Sequence, residues 1–300
     1  MQLDDGLSPE ARAFLAAYPS NANRIDLDNI EQTRREAREG FQAAADRASK
    51  RYDLRFDEVV VGGINCLQMR STTGASHGRM LYLFGGGFVV GEPESETPIA
   101  GYLAANCGLE IICPRYRLAP EHPFPAGLDD CRRVYDELIQ TGPLVLGGES
   151  AGGNLALLVA QGAIAQGLDA PTAMALLSPA ADLRLGEELS VPTHGIDPTL
   201  DPLTMATYMS AYLGDRDAGD PAVSPLLGEV DGLPPTIITT GSRDQLMAMC
   251  LRLGRKLRRK GIDVETHVWH GLWHVFEFYD EYPESSESLA DIAAFVNRHM

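Results

Sequence analysis

From about residue 80 onward the chain repeats one unit, a short apolar run with strand character followed by a stretch with helical spacing. The strand-like runs fall at 80–84, 110–113, 144–146, 173–177, 236–240 and 264–269. Strands joined through helices run parallel, and a parallel sheet needs helices on both faces to bury it. Two earlier runs, 58–61 and 64–69, are separated only by Gly62-Gly63 and read as a hairpin. The pattern therefore predicts an α/β fold with a mostly parallel eight-stranded sheet, antiparallel at its start. In such a sheet, reactive groups belong at the carboxyl ends of the strands.

Two regions stand outside the repeat. A helical pattern at 9–17 precedes a long charged helix reaching about residue 48, which Asp28-x-x-Glu31 would open as a capping box. Between Leu177 and Pro235 the alternation breaks, leaving one helical pattern at 203–213. The expected organisation is N-terminal helices contributing to a cap over 1–52, a core domain over 53–184 and 214–300, and a cap insertion over 185–213.

Charge and composition exclude several function classes. The 300 residues carry a formal net charge of −17, with 44% hydrophobic and 22% charged residues. A field of that sign repels nucleic acid and anionic membrane surfaces, so neither is expected as a partner. The basic run at 252–260 is interrupted by Leu253 and Leu257, with Leu251 just before it, as on the solvated face of an amphipathic helix. The first residues lack an apolar core and no apolar stretch approaches a membrane span, so a cytoplasmic protein is expected. The five cysteines are scattered without a C-x-x-C pair, predicting neither a disulfide framework nor a zinc site. His267, His270 and His274 form the one histidine cluster, but without a metal-ligand spacing.

Gly148-Glu149-Ser150-Ala151-Gly152 fits G-x-S-x-G between an apolar run and a helical pattern. A turn that lifts one serine off a strand end crowds the residues two before and two after it, which is why glycine is needed there. A serine hydroxyl is a poor nucleophile near neutral pH and needs a base, itself oriented by an acid. Asp244 follows the run at 236–240, and His274 follows the run at 264–269. Serine, aspartate, histidine in that order is the hydrolase sequence of this kind of sheet. Asp182 is the rival acid and His270 the rival base; Asp244 is favoured over a mere helix cap, and His274 lies farther into its loop, able to fold back over the serine.

A developing oxyanion needs donors, best supplied by backbone N–H groups that no side chain obstructs. Phe84-Gly85-Gly86-Gly87-Phe88 follows a strand-like run, so Gly86 and Gly87, with the amide of Ala151, would form a three-donor pocket.

With these motifs in place, the chain resembles the hormone-sensitive-lipase-like family of bacterial α/β-hydrolase esterases over most of its length beyond the N-terminal helices. Glu149-Ser150-Ala151-Gly152-Gly153-Asn154 is similar to the family's nucleophile motif, and Tyr116-Arg117-Leu118-Ala119-Pro120-Glu121 stands where the family has a segment that supports the site. Two departures are visible. Phe84 stands where the family's oxyanion loop has histidine, and Val275-Phe276 follows the expected base where the family has Gly-Phe. Phe84 would not provide the side-chain hydrogen bonds that brace the loop, and packing is expected to hold it instead.

The resemblance implies the α/β-hydrolase fold with a helical cap and hydrolysis of small to medium acyl esters. Lactone or amide hydrolysis by the same triad remains an alternative, as does a ligand-binding protein on a retired hydrolase scaffold. No metal or organic cofactor is expected. Phe84, Phe88, Leu203, Tyr208, Tyr212, Trp273 and Phe276 are the expected walls of an apolar substrate pocket. The edge strand at 264–269 leaves pairing into a homodimer open.

Overall fold

The structure, a computed structural model, describes residues 6–18, 25–74, 76–184 and 196–300. Its strands are β1 (Leu54–Val61), β2 (Ile64–Ser71), β3 (Gly78–Leu83), β4 (Leu109–Pro114), β5 (Val145–Glu149), β6 (Ala173–Leu177), β7 (Thr236–Gly241) and β8 (Val264–Trp269). They form one sheet in the order β1-β2-β4-β3-β5-β6-β7-β8. β2 runs antiparallel to both β1 and β4, and the other neighbours are parallel. The central strands β5, β6 and β7 are buried along their whole length, which explains their unbroken apolar, Gly and Thr runs.

Among the described residues the helices are α1 (Pro9–Ala17), α2 (Ile30–Arg51), α3 (Thr97–Cys107), α4 (Ala126–Ile139), α5 (Ser150–Ala165), α6 (Pro202–Leu213), α7 (Met247–Arg259) and α8 (Pro283–His299). α3 and α8 pack together on one face of the sheet, and α4 packs on α5 on the other. The basic run proves to be α7, which buries Met249, Cys250, Leu253, Gly254 and Leu257 on one stripe. Burying Leu253 and Leu257 contributes about 1.5–3 kcal/mol each, while Arg252, Arg255, Arg258 and Arg259 face solvent.

The expected capping box does not form. Asp26 accepts the N–H groups of Asp28 and Asn29 in a local turn, so the helix opens at Ile30, one residue past Asn29. Of the expected 185–213 insertion, residues 185–195 lie outside the described residues. Its remainder includes α6, capped by the Asp201 carboxylate, which accepts from the Leu203 and Thr204 N–H groups.

Both N-terminal helices are tied to the loops above the sheet. Arg34 of α2 donates to the carbonyls of Val89 (2.9 Å) and Ala119 (3.0 Å), and its guanidinium forks onto Glu121 at 2.8 and 2.7 Å. Phe14 of α1 stacks on Trp273 with ring centroids 4.4 Å apart. All five cysteines are free and buried. No helix among the described residues is long and apolar enough to cross a membrane.

Candidate active site

Ser150 occupies the corner where β5 ends and α5 begins. Its φ of +53° lies in the left-handed region, a conformation that a non-glycine residue holds only when its surroundings enforce it. Those surroundings are the backbone of β3. A Cβ on Gly148 would stand 2.5 Å from the Leu83 carbonyl oxygen, and one on Gly152 would stand 2.5 Å from that of Phe84. Neither position can carry a side chain while the corner keeps its shape.

Three side chains converge here from three loops. His274 Nε2 lies 2.9 Å from Ser150 Oγ, and His274 Nδ1 lies 3.0 Å from Asp244 Oδ1. Asp244 is fully buried; it also accepts from Thr240 Oγ1 and from the Leu246 N–H, both at 2.8 Å. Burial favours its neutral acid, but the facing imidazole and these donors win and hold its carboxyl below the usual range. Burial likewise pushes His274 down, and the Asp244 carboxylate more than reverses this, leaving the imidazole above its ordinary value.

The rival acid sits elsewhere. Asp182 is held by Arg184 (2.9 and 2.7 Å) and by Arg252 (2.9 Å). His270 begins the turn after β8 and is no member of the Ser150–His274–Asp244 line. A carboxylate that sequence reasoning did not single out, Asp197, is buried beside the site. It accepts from the N–H groups of Thr199 (2.9 Å), Leu200 (3.2 Å) and Gln245 (3.2 Å), the last adjoining Asp244. Burial, and then repulsion from Asp244, push its carboxyl up to about 6.

The glycine loop after β3 runs beside Ser150: a Cβ on Gly85 would stand 3.1 Å from Ser150 Cβ, and Gly87 and Ser150 border one cavity. Gly86 and Gly87 have φ of +92° and +61°, and among the hydrogen bonds of the described residues none uses either N–H. The Ala151 N–H lies in the first turn of α5, where helix geometry leaves amides unpaired. Phe84 falls just past β3, where ring packing is joined by side-chain hydrogen bonds with Tyr116 and Glu149 that the sequence reading did not expect. Its ring stacks on Tyr116 at 4.0 Å, and the Tyr116 hydroxyl donates to the Phe84 carbonyl at 2.7 Å. The Ala119 N–H donates to the Phe88 carbonyl at 2.9 Å, so the segment beginning at Tyr116 supports both ends of the loop.

A cavity of about 40 Å³ opens beside Ser150, lined by Gly87, Phe88, Ala180, Asp182, Leu183, Leu200, Met205, Tyr208, Met209, Leu246 and Met249. On the same measure one water needs roughly 10–15 Å³, so the space suits a short chain. Of the expected walls, Phe88 and Tyr208 line it; the other five do not. Phe84 is turned onto Tyr116, and Tyr212 stacks behind Phe88 at 3.7 Å. Leu203 points outward at 65% exposure. Trp273 and Phe276 are buried in a separate cluster with Leu7, Ala11, Leu272 and Tyr282. Apart from Phe88 and Tyr208, the large aromatic rings went where the most surface could be buried, and slimmer Met, Leu and Ala side chains make up most of the lining around the serine.

Comparison with known proteins agrees with this architecture. The family model described as alpha/beta hydrolase fold matches residues 80–278. An esterase of Acinetobacter venetianus is 32% identical, over 72% of this chain and 74% of its own. An ethyl acetate hydrolase of Pseudomonas putida is 30% identical over 74% and 73%. Among solved structures, esterase E25 superposes with a TM-score of 0.89 at 28% identity, covering 100% of this chain and 97% of its own. An esterase from the bacterial hormone-sensitive lipase family gives 0.84 at 26% identity, over 97% and 98%. The chain belongs to the α/β-hydrolase-fold family, among its hormone-sensitive-lipase-like esterases.

Proposed function

We propose that this protein is a serine carboxylesterase acting on esters of small to medium acyl groups through Ser150, His274 and Asp244. The observation that carries the reading is the continuous hydrogen-bonded line from Ser150 Oγ through His274 to Asp244. His274 removes the serine proton as Oγ attacks the ester carbonyl, and Asp244 fixes the tautomer and stabilises the imidazolium. The N–H groups of Gly86, Gly87 and Ala151 receive the oxyanion, aided by the positive end of the α5 dipole. The imidazolium then protonates the leaving alcohol. A water, deprotonated by the same histidine, releases the acyl group from Ser150.

The curated relatives support ester hydrolysis by name, and the cavity beside Ser150 favours a short acyl chain. The test is hydrolysis of nitrophenyl esters of increasing acyl length, with a chelator present, by the wild type and by Ser150→Ala. The expected result is activity that ignores the chelator, is strongest on short chains and falls by several orders of magnitude in the variant. Full activity in Ser150→Ala would overturn the reading; tight capture of a small ester without product would point to a binding protein.

A further inference from the structure

Beneath the oxyanion loop, on the side away from the cavity, two carboxyl groups are buried together. Glu149, the last residue of β5, is 1% exposed, and Glu96, the residue before α3, is 2% exposed. The Gly85 N–H donates to Glu149 Oε1. A Cβ on Gly85 would stand 2.6 Å from that same oxygen and 3.1 Å from Ser150 Cβ, so Gly85 is wedged between the acid and the serine. Its amide is the last one fixed before the free N–H groups of Gly86 and Gly87.

The far side of the pair is underbonded. Glu149 Oε2, Glu96 Oε2 and the Tyr82 hydroxyl are all buried without a well-aligned hydrogen bond, although Tyr82 and Glu96 both lie within reach of Glu149. No arginine or lysine stands among the main influences on either carboxyl, and the one titratable cation that acts on Glu149 is His274, across Ser150. Two neighbouring buried carboxylates without an arginine or lysine cannot both be ionised, and an acceptor-only pair could not bond to itself.

We propose that Glu96 and Glu149 hold one proton between them, Glu96 donating and Glu149 accepting from both Glu96 and Gly85, and that this singly charged pair positions the oxyanion loop. Both are positioning residues, acting on the reaction only through Gly85 to Gly87, and their kinetic effect rests on the esterase reading. The electrostatics agree in direction: burial pushes Glu149 up to about 8 and Glu96 well above its ordinary range. The titratable groups facing the pair are Tyr82 from β3, Cys113 from β4, Tyr116 from the loop after it, and His274 across Ser150. Burial raises Tyr82, Cys113 and Tyr116 well above their usual values, so all three stay neutral while the pair titrates. The singly charged brace therefore forms as Glu149, the first of the two to ionise, loses its proton, and it is lost as the shared proton leaves at higher pH, whereas His274 governs the acidic side.

The experiment follows kcat and KM from neutral to alkaline pH on nitrophenyl acetate for wild type, Glu96→Gln and Glu149→Gln, alongside infrared difference spectra of each variant against wild type. The wild type should lose kcat on the alkaline side with KM nearly constant. Glu96→Gln keeps a donor that cannot ionise; its kcat should fall only about threefold at neutral pH, and the alkaline loss should vanish. Glu149→Gln replaces a charged acceptor with a neutral one and should lower kcat about tenfold at every pH. The wild type should show the carbonyl band of a protonated buried carboxyl at neutral pH, absent from Glu96→Gln and shifted in Glu149→Gln, where buried Glu96 keeps its proton. An unchanged alkaline loss in Glu96→Gln, or spectra without that band, overturns the shared proton. The band present in a wild type that hydrolyses no ester overturns the esterase reading and leaves the pair standing.

Discussion

Removing one hydroxyl, in Tyr116→Phe, isolates what holds the oxyanion loop. The ring that stacks on Phe84 stays, and only the 2.7 Å bond to the Phe84 carbonyl is lost. Because that carbonyl is buried, the cost exceeds that of an average hydrogen bond and falls at about 1–2 kcal/mol. For a domain of this size, that lowers Tm by about 2–6 °C. The same free energy acts on catalysis only if the bond selects the productive loop geometry. In that case kcat falls about tenfold, since 1.36 kcal/mol is a factor of ten, while KM changes little. Thermal melts and steady-state hydrolysis of nitrophenyl acetate measure the two effects. Tyr135→Phe is the control. That hydroxyl donates at 2.7 Å to the Asp169 carbonyl, on the connection between α5 and β6, and its loss should lower Tm without touching kcat. A Tyr116→Phe enzyme with lowered Tm and undiminished kcat would refute the argument and assign the bracing to ring packing alone.

Three further substitutions separate the carboxylates around the site. Asp244→Asn should cut kcat by about 10⁴, as a wrong tautomer does, whereas Asp182→Asn, which loosens only the grip of Arg184 and Arg252, should cost stability and less than about tenfold in rate; a larger rate loss in the second variant reverses the assignment. Asp197→Asn removes a negative charge that helps keep His274 above its ordinary value. The neutral imidazole is the active form, so activity rises with pH through its ionisation, and the variant's acidic limb in kcat/KM should shift to lower pH. An unmoved limb would show that Asp197 is already neutral where His274 titrates.

What was legible in the sequence is whatever follows from strand ends. Ser150 directly follows a strand, Asp244 and His274 lie in the loops that follow theirs, and a parallel sheet collects such positions on one edge, so their meeting could be anticipated from order alone. The helix at 203–213 and the hairpin through Gly62-Gly63 were legible for the same reason, as local patterns with local causes. The pocket walls were not. Whether Leu203 or Met205 turns inward depends on how α6 rolls against the loop, and Tyr208 reaches the site because Gly87 leaves space against its ring. Asp197 and Glu96 were also silent: each reads as one more acid in an acidic chain, and only tertiary burial gives it a partner.

The stacking of Phe14 on Trp273 joins a helix near one end of the chain to the residue just before His274. Around it, Tyr279 and Tyr282 pack on Phe14, and the Ser8 N–H donates to Glu284 at the start of α8. Val275, next to the imidazole, sits at φ +45°, a backbone state that a β-branched residue does not hold unaided. During synthesis α1 therefore leaves the ribosome long before its docking site exists. A partly made chain can already shape the serine corner between β5 and α5, yet it has neither the base nor the scaffold that seats it. On the proposed triad, hydrolytic competence thus waits until the segment carrying Trp273 and His274 has been made and α1 has docked on it.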